Sequence, residues 1–190
     1  PLLLDFLVEL RKENACIFIQ GNHDVYLQDY LTTGKANKGW LMYGGRLTLD
    51  AYQQLKRNPQ EHLDFLNEMQ FSYIDDQNRV FVHAGIRPED ITSMGLIDSP
   101  ALAWDRSMWE AAVEKSLHPS LEHTFSEIYI GHTPTTKIER DDPVNLYNIW
   151  NLDTGAGFAG KLSMMDIDTK EVWQSDSLPL LYPNEKGRNE

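Results

Sequence analysis

Cysteine occurs once in the 190 residues, so the chain forms no internal disulfide and a reducing, cytoplasmic setting suits it best. That residue, Cys16, stands in the apolar run from Ala15 to Ile19, which predicts a buried strand. Basic residues are scarce: 17 Lys and Arg face 29 Asp and Glu, a formal charge of −12 with a pI near 4.8. A polyanion would be repelled at long range, which argues against a nucleic acid polymer or an anionic membrane as partner. No stretch approaches the ~18 consecutive apolar residues of a membrane helix, and mean hydropathy is −0.47. Internal repeats and low-complexity tracts are absent. There is no initiator methionine, and the chain opens at Pro1 straight into a helical pattern; we expect a piece of a longer protein or a processed product. What remains is ordinary globular composition, 41 % hydrophobic and 24 % charged, at a length that suits one domain with a real core.

Pro1 fits a first helical turn, and Leu3, Phe6, Leu7 and Leu10 recur at helical spacing up to Asn14. After the strand over 15–19 come a short helix from Asp24 to Leu31 and a polar loop from Thr32 to Gly39. Thr48 reads as the cap of a helix running to about Arg57, and Pro59 opens another over Gln60 to Met69. The period then changes. Phe71 to Ile74 and Arg79 to Val82 flank the turn tetrapeptide Asp75-Asp76-Gln77-Asn78, which predicts a hairpin. Ala101 to Lys115 reads as a helix with a Trp-rich face and Glu127 to Ile130 as a buried strand. Segments 146–152, 162–167 and 171–174 read as a terminal meander. We expect one domain over 1–178 and a loose polar tail over 179–190.

Three of the six histidines share one local context. Cys16 to Gln20 runs into Gly21-Asn22-His23-Asp24, Val80 to Val82 into His83-Ala84-Gly85, and Ile128 to Ile130 into Gly131-His132-Thr133. Each is an apolar strand ending in a His beside a Gly. Ligands of open α/β sheets sit outside the carboxyl ends of strands, so distant side chains can meet at one edge. Imidazoles with an amide oxygen suit Zn, Mn or Fe rather than Ca or Mg, and the candidate ligands are Asn22, His83 and His132.

In their order, Gly-Asn-His-Asp, His-Ala-Gly and Gly-His-Thr resemble the later signature blocks of the calcineurin-like metallophosphoesterases. Trp40 to Gly45, Thr48, Leu102 to Arg106 and Asp153-Thr154-Gly155 bring the likeness nearest to bacterial serine/threonine phosphoprotein phosphatases and symmetrical dinucleoside-tetraphosphatases, over about Leu7 to Ile167. The resemblance implies an α/β fold: a sandwich of two mixed β-sheets flanked by helices, with a metal site at one edge. It implies hydrolysis of phosphomonoesters, first of all phosphoserine or phosphothreonine in proteins, by direct attack of a hydroxide bridging two divalent ions. A dinucleoside tetraphosphate is the alternative substrate. Manganese is the expected metal, with iron or zinc as alternatives, and the partner is a phosphorylated protein or a small phosphorylated compound. Carried over by position, Asn22, His83 and His132 become ligands of the second metal, His23 the group that protonates the leaving oxygen, and Arg106 a phosphate clamp.

The family's opening blocks, Asp-x-His and Gly-Asp-x-x-Asp-Arg-Gly, do not occur in this chain, and Gln20 stands where an arginine usually precedes Gly-Asn-His. We therefore expect the first strands to be lacking, one metal to bind weakly and this polypeptide alone to turn over little. A non-catalytic single-metal or scaffold role is the alternative of another class. Several residues carry two readings: Asp24 orients a ligand histidine or caps a helix, Arg106 clamps phosphate or makes a surface ion pair, and Trp40, Trp104 and Trp109 line a groove or pack in a core. Arg87 is expected to pair with Glu89 or Asp90, and His62, His118 and His123 to face solvent.

Overall fold

The computed structural model describes residues 1–93 and 95–184, and the chain divides into two compact units, Pro1–Phe71 and Ser72–Glu190. The first unit is helical. Helix α1 (Leu2–Glu13) buries Leu4 and Val8, one turn apart, and leaves Leu3 and Phe6 exposed, so its inward stripe is rotated from the one its periodicity predicts. Helix α2 (Asn22–Thr33) starts where the Gly21 N–H donates to Asp24 Oδ2 at 2.8 Å and stops at Gly34, whose φ of +70° closes it in the left-handed conformation. A short turn α3 (Lys38–Trp40) runs through Leu41–Gly45 into α4 (Arg46–Leu55), bending where Tyr43 and Gly44 leave helical geometry. Thr48 is therefore inside α4 rather than its cap. Helix α5 (Gln60–Glu68) completes a core of Leu4, Val8, Leu27, Trp40, Phe65 and Leu66.

Two further expectations fail in this unit. The strand over 15–19 shrinks to one parallel bridge between Ile19 and Gln70, held by Gln20 N–H to Gln70 O at 2.7 Å and Gln70 N–H to Phe18 O at 3.1 Å. Among the described residues this unit has no second strand to extend the ladder, so Cys16 and Ile17 are exposed instead of buried. His62 does not face solvent: it is 2 % exposed, with Nε2 3.0 Å from Asp5 Oδ1 and Nδ1 2.7 Å from Tyr52 Oη. A carboxylate only accepts, so Nε2 is the donor to Asp5, and Nδ1 faces the tyrosine hydroxyl, which can both donate and accept. Burial, with the Asp5 charge adding to it, pushes the Tyr52 hydroxyl up to about 12. Apolar periodicity cannot reveal such a contact, because the partners are 57 and 10 residues away.

The second unit is built on a five-stranded mixed sheet. Strands β1 (Ser72–Ile74) and β2 (Arg79–Val82) form the predicted hairpin, with Asn78 at a φ of +59° in its turn. A two-stranded ribbon, β3 (Ile91–Thr92) and β4 (Gly95–Leu96), follows. The helix expected over 101–115 is interrupted: a turn at Pro100–Ala103 precedes α6 (Ser107–Val113), because Asp105 Oδ1 accepts from both the Ser107 N–H and hydroxyl and starts a new helix there. Helix α7 (Pro119–Thr124) is capped by His118, whose Nδ1 accepts from the Ser120 N–H at 3.2 Å. Strands β5 (Glu127–Ile130), β6 (Val144–Leu146) and β7 (Ile149–Asn151) complete the order β1-β2-β5-β7-β6. β2, β5 and β7 are mutually parallel, and both edges are antiparallel. Tyr73, Phe81, Tyr129 and Trp150 are register partners across one face, while Val80, Ile128 and Ile149 are buried on the other. Strands β8 (Ser163–Met165) and β9 (Val172–Gln174) form a separate antiparallel pair, so the expected meander holds only for its last two members: 146–152 is divided between β6 and β7 of the main sheet by a turn at Tyr147, whose φ is +54°; α8 (Leu178–Leu181) is a single turn. The fold is α/β as expected, but among the described residues one mixed sheet is present where two were expected, the other two sheets being antiparallel pairs. Part of the expected loose tail, 185–190, lies outside the described residues.

Candidate active site

β2 and β5 are paired in parallel register, Phe81 opposite Tyr129, so their carboxyl ends reach the same edge of the sheet. β2 delivers His83 there and β5 delivers Gly131-His132. The Gly131 N–H donates to the His83 carbonyl at 2.9 Å, which joins the two turns directly. The rings meet at right-angle-like inclination, centroids 5.0 Å apart and planes at 66°, with His83 Nε2 3.1 Å from His132 Nδ1. That separation suits two ring nitrogens that share a proton, and equally two that address one cation at ~2.0–2.1 Å from each. His132 has a φ of +66°, the left-handed region that histidine tolerates better than most side chains but that still marks a constrained position.

The third parallel strand supplies the support. β7 ends at Asn151, 0 % exposed in an otherwise apolar strand. Its amide nitrogen donates to the Thr133 carbonyl at 2.9 Å, and its oxygen accepts from the Asp153 N–H at 3.0 Å. The Thr135 N–H adds a bond to the Asp153 carbonyl at 2.8 Å. One buried amide thus fixes the turn that carries His132 to the turn that begins Asp153-Thr154-Gly155. Replacing Asn151 with Leu should leave two backbone groups unpaired and destabilise the second unit by about 2–4 kcal/mol, measured by urea unfolding; a loss under about 0.5 kcal/mol would refute the pinning role. Sequence reasoning missed Asn151; its signal is shared with Asn148, the two asparagines of the otherwise apolar run Leu146 to Leu152.

The segment holding Arg106 is anchored to the His83 turn from the other side. The Ala84 N–H donates to the Leu102 carbonyl at 2.9 Å, and a Cβ on Gly85 would lie 2.9 Å from the Asp105 carbonyl oxygen, so only glycine allows this approach. Arg106 is exposed and makes no ion pair among the described residues. Trp104 and Arg106 line an open pocket of about 490 Å³ with Arg87 and Glu110. Arg87 is otherwise engaged, as expected: it grips buried Asp90 at 2.6 and 3.0 Å and approaches Glu89 at 3.4 Å. Burial alone would raise the Asp90 carboxyl, but the Arg87 bonds outweigh it and hold it below the ordinary carboxylate range.

The remaining candidates belong to the first unit. Asn22, His23 and Asp24 form the first turn of α2. Asp24 takes the capping alternative through Gly21; burial raises its carboxyl above the ordinary value, and the Gly21 N–H offsets this in part. Trp40 takes the core alternative, 1 % exposed and stacked on Tyr26 at 6.3 Å. Gln20, 3 % exposed, donates to Gln28 at 2.8 Å, and Gln28 to Asn67 at 2.7 Å, a chain of neutral amides where the resemblance would have a cation. Among the described residues, no three His, Cys, Asp or Glu side chains are grouped so as to hold a metal ion. A site here would therefore combine the two converging imidazoles with other oxygen ligands.

The fold has a likeness among solved structures. A crystal structure described as a "putative diadenosine tetraphosphatase" aligns with a TM-score of 0.51 at 15 % identity, covering 88 % of this chain and 71 % of that one. This is a likeness of fold. No family model matches the chain. No curated protein matches its sequence. No helix among the described residues is long and apolar enough to cross a membrane.

Proposed function

We propose that the chain carries the histidine side of a metal-dependent phosphoesterase centre and that it hydrolyses phosphomonoesters, phosphoserine or phosphothreonine in proteins first among them. The observation that carries this reading is the convergence of His83 Nε2 and His132 Nδ1 to 3.1 Å at the common end of two parallel strands. In this reading His83 and His132 hold a divalent ion, manganese first, as the second unit's share of its ligands. A bound divalent ion supplies positive charge to the phosphoryl oxygens and lowers the pKa of a water molecule. The chain's own groups do the rest. Arg106 offers its guanidinium fork to two phosphate oxygens, and Asn151 keeps His132 in place. Against a chain of −12, a divalent ion and Arg106 provide the local positive charge that a phosphate requires.

The name of the structural neighbour favours a second substrate, a diadenosine tetraphosphate. The purified chain, assayed with Mn²⁺ against a phosphothreonine peptide and diadenosine tetraphosphate, should release inorganic phosphate slowly from the peptide. Release of ADP from the dinucleotide instead would move the assignment to the second substrate. Arg106→Ala should act mainly on KM. Mn²⁺ binding without hydrolysis of either compound would return the non-catalytic reading. Neither binding nor hydrolysis would refute the centre itself.

A further inference from the structure

The second unit contains a cavity of about 500 Å³ that no part of the proposed reaction uses. Small-molecule sites span roughly 300–1,000 Å³. Its walls come from the turn after His132 (Pro134, Thr136, Lys137), the turn through 155–161 (Phe158, Lys161) and Ser177 before α8. The floor is backbone that cannot accept side chains. Gly155 has a φ of +86°, and a Cβ on Gly160 would lie 2.0 Å from the Thr154 carbonyl oxygen. Phe158 and Gly160 both donate their N–H to the Gly155 carbonyl at 2.9 Å, and buried Thr154 donates its hydroxyl to the Lys161 carbonyl at 2.7 Å. These bonds make the cavity a preformed feature of the turn, and preformed pockets bind without the cost of ordering a loop.

Its charge narrows the ligand. Lys161 is neutralised by Asp141 at 2.8 Å, whereas Lys137 makes no ion pair among the described residues. One ammonium is left over beside the Phe158 ring, the Pro134 ring and a glycine floor. We propose that this cavity is a second ligand site, for a small monoanion with a flat apolar body, in class an aromatic carboxylate or sulfonate. The apolar body lies against Phe158 and Pro134, and the anionic group meets Lys137. A dianion is disfavoured, because the Asp141 carboxylate lines the same opening.

The test uses 1-anilinonaphthalene-8-sulfonate as probe, titrated into the full chain while ¹H–¹⁵N spectra are recorded. One saturable site is expected, with shifts concentrated on Thr136, Lys137, Gly155, Phe158 and Gly160. Lys137→Glu and Ser177→Phe, the second of which fills the cavity, should each weaken binding at least tenfold. Lys137 is exposed and the Ser177 side chain caps no helix end, so both variants should keep the parent spectrum elsewhere. The proposal is overturned by shifts centred on the exposed apolar residues of α1 or of the β8–β9 pair. Equal affinity in both variants, or equally tight binding of neutral N-phenyl-1-naphthylamine, would overturn it as well.

Discussion

Alanine in place of His83, or asparagine in place of His132, lowers Mn²⁺ affinity on the order of 100-fold and leaves the fold intact. Removing a group that merely orients a metal ligand typically costs about 10–100-fold, and a lost ligand costs no less. Asparagine is chosen at 132 because it tolerates the φ of +66° that would strain alanine, so a loss of binding reports the missing ring nitrogen and not a reshaped turn. Both rings are half-buried at strand ends rather than inside a core, which is why the fold should survive. Paramagnetic titration of Mn²⁺ reads the affinity, and circular dichroism the fold. His62→Ala supplies the contrast: it leaves Asp5 and Tyr52 without their buried partner, so stability falls while Mn²⁺ affinity stays put. If all three variants bind Mn²⁺ like the parent chain, the converging histidines are not the metal ligands.

Trp40→Ala destabilises the first unit by about 3–5 kcal/mol, the range for removing a large buried aromatic side chain. The indole is 1 % exposed, stacks on Tyr26 and lies against Tyr30. Gly45 shows how closely it is packed: a Cβ there would sit 2.4 Å from Trp40 Cδ2, so Gly45→Ala should reproduce much of the loss by forcing the ring outward. The urea midpoint, followed by far-ultraviolet circular dichroism, measures both. A change below about 1 kcal/mol for Trp40→Ala would mean that the ring is not the core element its burial describes and would return it to the role of a groove wall.

The two histidines that meet were legible in the sequence, and the reason is chemical. An apolar strand that stops at a His-Ala-Gly or Gly-His step announces both its direction and its end group, and parallel pairing does the rest. The hairpin around Asp75-Asp76-Gln77-Asn78 was legible too, since turn formers and β-rich flanks agree locally. What escaped was set by distant partners. The run from Ala15 to Ile19 has the composition of a strand, but among the described residues its one strand-like partner is Gln70, so it stays largely unpaired. His62 sits among charged residues in sequence and is drawn inward by Asp5 and Tyr52. Asn151 holds the His132 turn through a carbonyl 18 residues away. Asp105 splits the expected Trp-rich helix because its carboxylate satisfies Ser107 better than another helical turn would.

The parallel arrangement of β2 and β5 also sets an order of events during folding. His83 and His132 are 49 residues apart, and bringing such ends together costs about 3.4 kcal/mol in the length-dependent part of the loop-closure entropy. The β1–β2 hairpin and the helical turns of the first unit need only local encounters, whereas this pairing must wait for the intervening chain to condense. The edge that gathers the imidazoles is therefore among the last features to assemble. A half-folded chain, with its histidines still dispersed, therefore lacks the preorganised pair of imidazoles at that edge.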